Sequence, residues 1–152
     1  MDMRERISAA LKDAMRAREA DRLSTLRLMN AAIKDRDISL RGEGNDAMVT
    51  EADILAILGR MVKQRQESIR LYDEGGRPEL AERERAEIGV IEEFLPRQLD
   101  ATETEAAIAA AIAEVGAATI RDMGRVMAAL KAKYTGQMDF GAVGPMIKAR
   151  LG

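Results

Sequence analysis

The 152-residue chain contains no cysteine, no histidine and no tryptophan. Without cysteine there are no disulfides and no thiolate metal sites; without histidine the commonest general base and metal ligand are missing. Its two phenylalanines and two tyrosines are too few and too scattered for a base-stacking platform. No apolar run approaches the roughly 20 residues that cross a bilayer. The start Met1-Asp2-Met3-Arg4-Glu5 lacks a signal-peptide core. No membrane association and a cytoplasmic location are the expectations that follow. Glycine-lysine phosphate loops, dinucleotide fingerprints, Gly-x-Ser-x-Gly elbows and zinc-ligand spacings are also absent. The chain is therefore expected to hold no catalytic residue, no metal and no cofactor.

What is present is periodicity of one kind. Ile7, Ala10, Leu11, Ala14 and Met15 recur at helical spacing and predict an amphipathic helix over 3–19. Asp21 is expected to cap a second helix with a stripe of Leu23, Leu26, Met29 and Ile33, fading near Ile38. The glycine-containing stretch 41–46 is expected to be a disordered loop. Thr50-Glu51-Ala52-Asp53 resembles a capping box and opens the longest helix, which Gly75-Gly76 ends. Pro78 then suits the first turn of a fourth helix, running to Leu95. Alternating strand patterns do not occur, so the fold class is all-α. Short connections predict long antiparallel hairpins in the N-terminal part.

Leu95-Pro96 is the expected boundary, because proline breaks a helix and restricts the residue before it. Residues 1–96 form one predicted domain and residues 97–152 a second, a small bundle of three helices. Thr102 is expected to cap the first of these and Gly116 to end it. Thr119-Ile120-Arg121-Asp122 opens the next, and Gly144-Pro145 starts a short last one. Apart from Met1, the methionines read as gap-filling residues, with a methionine-rich docking surface as the alternative.

Two constellations stand out. At about 100° per residue, Glu84 and Glu87 fall in the inward arc of the fourth helix. Arg65 falls mid-stripe on the third, and Arg27 with Asn30 at the stripe edge of the second. Paired carboxylates suit a divalent cation or acid–base work. A buried ion-pair network that fixes helix register is favoured, since arginines stand at matching levels and no histidine is present.

The second constellation is basic. Residues 119–152 hold six basic side chains (Arg121, Arg125, Lys131, Lys133, Lys148, Arg150) against two acidic ones (Asp122, Asp139) in a chain of net charge −2. Such an excess suits either solvated surface or a polyanion contact. Arg121, Gly124, Arg125, Ala128 and Lys131 cluster on one side of their helix. Gly124 costs that helix about 1 kcal/mol relative to alanine, which implies a close approach, either by another helix or by a phosphodiester backbone. Arg121, Gly124, Arg125, Lys131 and Lys133 are the candidate nucleic-acid contacts.

Several stretches carry a resemblance to a known family. They are Ala14-Met15-Arg16-Ala17-Arg18 with Leu23-Ser24-Thr25-Leu26-Arg27, Val62-Lys63-Gln64-Arg65-Gln66-Glu67-Ser68-Ile69, Glu84 with Glu87-Ile88, and Glu93-Phe94-Leu95-Pro96-Arg97-Gln98-Leu99. Asp122-Met123-Gly124-Arg125-Val126-Met127, Gly136 with Asp139, and Ile147-Lys148-Ala149-Arg150-Leu151 complete the set. In this order they resemble the GatB/YqeY family, in its stand-alone YqeY-like form. In the related GatB component of tRNA-dependent amidotransferases, a similar helical module forms the tail that helps hold tRNA. The cradle domain carrying that component's chemistry has no counterpart here. The resemblance therefore implies a non-catalytic module binding tRNA or other structured RNA. The alternatives are a protein-interaction module docking on an amidotransferase or synthetase and, by family association only, a carbon-nitrogen ligase with glutamine as amido donor. At Gly144-Pro145 the chain departs from the family pattern of a serine or similar polar residue followed by a helix former.

Overall fold

The computed structural model describes residues 2–44 and 49–152. Among these there are no strands, and the chain is a succession of helices: α1 (Met3–Ala17), α2 (Ala20–Gly42), α3 (Glu51–Glu74), α4 (Pro78–Glu92), α5 (Ala101–Val115), α6 (Met123–Tyr134) and α7 (Phe140–Leu151), with a 3-10 turn Ile120–Asp122 before α6. The chain is all-α. It divides into two compact units, one ending at Leu95 and the other Pro96–Gly152.

In the first unit, α1 pairs with α2, α3 with α4, and α2 packs on α4. Ile7, Leu26, Met29, Ile33, Ile54, Leu58 and Ile91 are fully buried in a single core, each adding about 1.5–3 kcal/mol of apolar burial. α1 starts on an Asp2–Glu5 capping box and stops at Arg18, which adopts the left-handed conformation (φ 57°). α2 accordingly begins at Ala20, one residue before Asp21, which lies in its first turn, and Glu19 at the N-cap makes no side-chain cap bond. α2 also runs past Ile38 to Gly42, because buried Leu40 continues the Leu26–Ile33 stripe at seven-residue spacing. Thus part of the stretch expected as a loop is helical; its Asn45 and Asp46 lie outside the described residues.

Thr50 and Asp53 close the capping box of α3, and Gly76, at φ 70°, makes the turn into Pro78 at the start of α4. α4 ends at Glu92, three residues before Leu95. Phe94 is nevertheless buried, with the Arg6 guanidinium 5.4 Å from its ring centroid.

The second unit has its own core of Ile108, Val126, Leu130, Val143 and Ile147, joined at its edge by Leu99. Its leading segment is strapped to the turn between α6 and α7: the Leu99 N–H donates to the Gln137 carbonyl at 2.9 Å, and Gln137 Nε2 donates to the Arg97 carbonyl at 3.1 Å. Asp100, not Thr102, caps α5. Its carboxylate accepts from the Glu103 N–H at 2.7 Å, and Glu103 returns the bond to the Asp100 N–H at 3.2 Å, which satisfies two end donors at once. Gly116 ends α5 in the left-handed conformation at φ 65°.

The last helix starts five residues earlier than a cap at Gly144 implies. Asp139 caps it by accepting from the Gly141 N–H at 3.0 Å, and Pro145 sits inside the helix. Proline lacks the N–H that would bond the Gly141 carbonyl and disfavours helical conformation in the residue before it, mainly by crowding a Cβ. That residue is glycine, so the clash is reduced and the helix passes through.

Candidate nucleic-acid interface

The geometry of α6 and α7 follows from three contacts. A methyl group in place of a Gly144 hydrogen would lie 3.5 Å from Met123 Cε and 3.8 Å from Met127 Cε. A side-chain carbon at Gly152 would lie 3.9 Å from Ile120 Cδ1. At the other end, Lys131 Nζ stands 6.0 Å from the Phe140 ring centroid. The two helices therefore run antiparallel, with Gly144 of α7 and its C-cap Gly152 on the ridge that meets Ile120, Met123 and Met127.

Gly124 is exposed, and a Cβ there would meet nothing within 4 Å. Among the described residues of the second unit no helix packs on it, so helix packing within that unit does not account for its small size. Arg121, one turn before it, and Lys131, two turns after, are both exposed. Neither makes an ion pair with a described residue. Lys131 is about 20° from Gly124 in azimuth, so the two share a face.

Arg125 and Lys133 stand differently. Arg125 is exposed, but its guanidinium donates to the Val115 carbonyl at the end of α5 and pairs at 3.3 Å with Asp122. The other Asp122 oxygen accepts the backbone N–H of Ala118 (2.9 Å) and Thr119 (3.2 Å), and these bonds hold its pKa below the ordinary carboxylate value. Arg125 and Asp122 thereby tie the α5–α6 connection and fix the turn that carries Arg121. Lys133 is nine residues from Gly124, hence about 180° around α6, beside the Tyr134 ring at 5.8 Å. The structure thus brings Arg121, Gly124 and Lys131 together, gives Arg125 an internal role and turns Lys133 to the opposite side.

In the first unit, Arg65 Nε donates to Glu87 at 2.8 Å, lies 4.0 Å from Glu84, and its Nη1 donates to the Met61 carbonyl at 3.1 Å. The Arg65 side chain is only 14% exposed. Burial, and then the charge of Glu87, raise the Glu84 pKa, which Arg65 only partly offsets. Arg27 is not part of this group. It is exposed and without a partner among the described residues, and half-buried Asn30 forms no hydrogen bond with them. The helical wheel places Arg27 at the stripe edge, and in the structure that edge is exposed. Among the described residues no three carboxylates gather as a metal-ligand group.

A further cleft of about 170 Å³ lies between α2 and α4, lined by Asp21, Arg22, Ser24, Thr25, Arg83 and Glu87, among others. Its walls carry both signs, and Arg22 is already paired with Glu93.

Comparison with known proteins is decided by one match. The family described as Yqey-like protein matches residues 4–151, nearly the whole chain. The chain belongs to that family. Among curated relatives, an uncharacterized protein of Schizosaccharomyces pombe is 29% identical over 90 residues, covering 59% of this chain and 69% of its own. Altered inheritance of mitochondria protein 41, mitochondrial, of Lachancea thermotolerans is 32% identical over 95 residues, 62% of this chain and 49% of that one. Its namesake in Saccharomyces cerevisiae is 28% identical over 85 residues, 56% and 44% respectively. The matched region thus spans about half or less of the two mitochondrial relatives. Among the described residues no helix is long and apolar enough to cross a membrane.

Proposed function

We propose that this Yqey-like chain is a non-catalytic accessory protein whose C-terminal unit binds structured RNA through its phosphate backbone, tRNA being the RNA to which the likeness to the amidotransferase tail points. The observation that supports it is the open floor at Gly124 between two cations, Arg121 and Lys131, that make no ion pair among the described residues. Phosphates require cations and access, and a position without a side chain lets the backbone come close. Recognition of this kind follows shape and charge more than sequence, so different tRNAs should bind alike. The exposed large apolar residues are Met15 on α1, Leu28 and Ile38 on α2 ten residues apart, Leu71 on α3 and Ile120 in the 3-10 turn. Single exposed apolar side chains do not specify a protein partner.

The test is a titration of bulk tRNA against the full chain at low salt, with the Arg121→Gln/Lys131→Gln double variant alongside. The proposal expects wild-type binding and a loss of at least tenfold in the variant at unchanged helix content. Equal affinity in the two proteins, or no binding by the wild type, overturns it.

A further inference from the structure

The antiparallel packing of α6 and α7 brings a residue of the last helix beside the cations of α6. Lys148 lies one turn beyond Gly144, which meets Met123 and Met127, and one turn before Gly152, which meets Ile120. Residues 144, 148 and 152 follow one another at i, i+4 spacing, so all three lie on the α7 ridge that faces α6. Lys148 is thereby held about 6 Å along the axis from each contact, level with the first turns of α6. Gly124 is about 60° around α6 from Met127, on the flank next to that ridge. Lys148 is exposed and makes no ion pair with a described residue.

We infer that the phosphate-binding surface is not one helix face but a track across two helices, with Lys148 of α7, Lys131 of α6 and Arg121 of the 3-10 turn that leads into α6 placed around the open floor at Gly124. This rests on the RNA reading above and adds a contact to it. The occupant is a phosphodiester backbone, on charge complementarity: three cations that make no ion pair among the described residues are placed around the floor, while Asp122 is turned to the Ala118 and Thr119 amides and to Arg125. Arg150 supplies the internal control. It is exposed, on the same helix and of the same charge, yet two residues on it points about 200° away around α7, off the track.

The experiment measures the affinity of the full chain for bulk tRNA at several salt concentrations in wild type, Lys148→Gln, Lys148→Arg and Arg150→Gln, with circular dichroism to establish folding. Each phosphate contact contributes about 0.7–0.9 to the slope of log K against log salt. Lys148→Gln should weaken binding and flatten the slope by about that amount, Lys148→Arg should restore it, and Arg150→Gln should leave it unchanged. A Lys148→Gln slope equal to wild type, while Arg121→Gln still flattens it, overturns the two-helix track and leaves the RNA reading standing. Equal flattening by Arg150→Gln also overturns it, since net charge alone would then explain the effect. No binding by wild type sinks both.

Discussion

Arg125 donates its guanidinium to the carbonyl oxygen of Val115, ten residues earlier at the end of α5. That oxygen is one of the helix-end acceptors left without an intrahelical donor. The bond converts a cation that looks available for phosphate into a brace between two helices. Arg125→Ala should therefore act first on stability, lowering that of the C-terminal unit by about 1 kcal/mol. Thermal denaturation followed by circular dichroism measures it. A melting curve identical to wild type would show that the brace contributes nothing to stability.

The two inward carboxylates of α4 should respond oppositely to neutralisation. Glu87 accepts the short bond from Arg65, and Glu87→Gln should cost about 1–2 kcal/mol. Glu84 is 4.0 Å from Arg65, and burial raises its pKa. A raised folded pKa means that the native state holds the proton more tightly, so the ionised carboxylate destabilises the fold at neutral pH and the penalty fades as pH falls through that pKa. Glu84→Gln should leave stability unchanged or raise it at pH 7. A lower melting temperature in Glu84→Gln than in Glu87→Gln would reverse the assignment.

Glu103 has the opposite sign. Bidentate bonds from Arg97, at 2.8 and 2.6 Å, and the N–H of Asp100 bring its pKa down to about 2. Its stabilising contribution is complete above the ordinary carboxylate value and lost as pH falls toward 2. Glu103→Gln should flatten the stability profile between about pH 4.5 and pH 2. An unchanged acid limb would mean that the Arg97 fork is not maintained in solution.

Gly144 and Pro145 should be coupled. A Cβ at Gly144 meets only the flexible ends of Met123 and Met127 at ordinary contact distance, so space alone does not forbid it. The proline that follows disfavours it, by crowding a Cβ in helical conformation. Gly144→Ala should destabilise the wild type yet be neutral or stabilising in a Pro145→Ala background, a coupling that a double-mutant cycle measures. Additive effects would place the cost in the methionine contacts instead.

These residues also mark how far local rules reach. The Thr50–Asp53 box, Gly116 and Pro78 are legible because each satisfies a helix end within four residues of chain. Thr102 misplaces the α5 start because Asp100 and Thr102 each have a glutamate at the third position, Glu103 and Glu105, and local spacing does not tell which of the two boxes forms; the Asp100–Glu103 box does. Gly-Pro hides the early start of α7 because it marks a helix beginning by rule, whereas here glycine eases the constraint that proline imposes. At the interface, Gly124 and its neighbours Arg121 and Lys131 are visible on a helical wheel, and the same wheel turns Lys133 away. The engagement of Arg125 and the position of Lys148 depend on which helix packs against which, and no spacing along one helix encodes that.

The central claim is that an open, cation-bordered face of the C-terminal unit holds RNA phosphates. It is tested most directly by the salt dependence of tRNA binding to the full chain. Three phosphate contacts predict a slope of log K against log salt of about −2 to −3, with little difference between tRNAs. A slope near zero, or no binding at low salt, would contradict it.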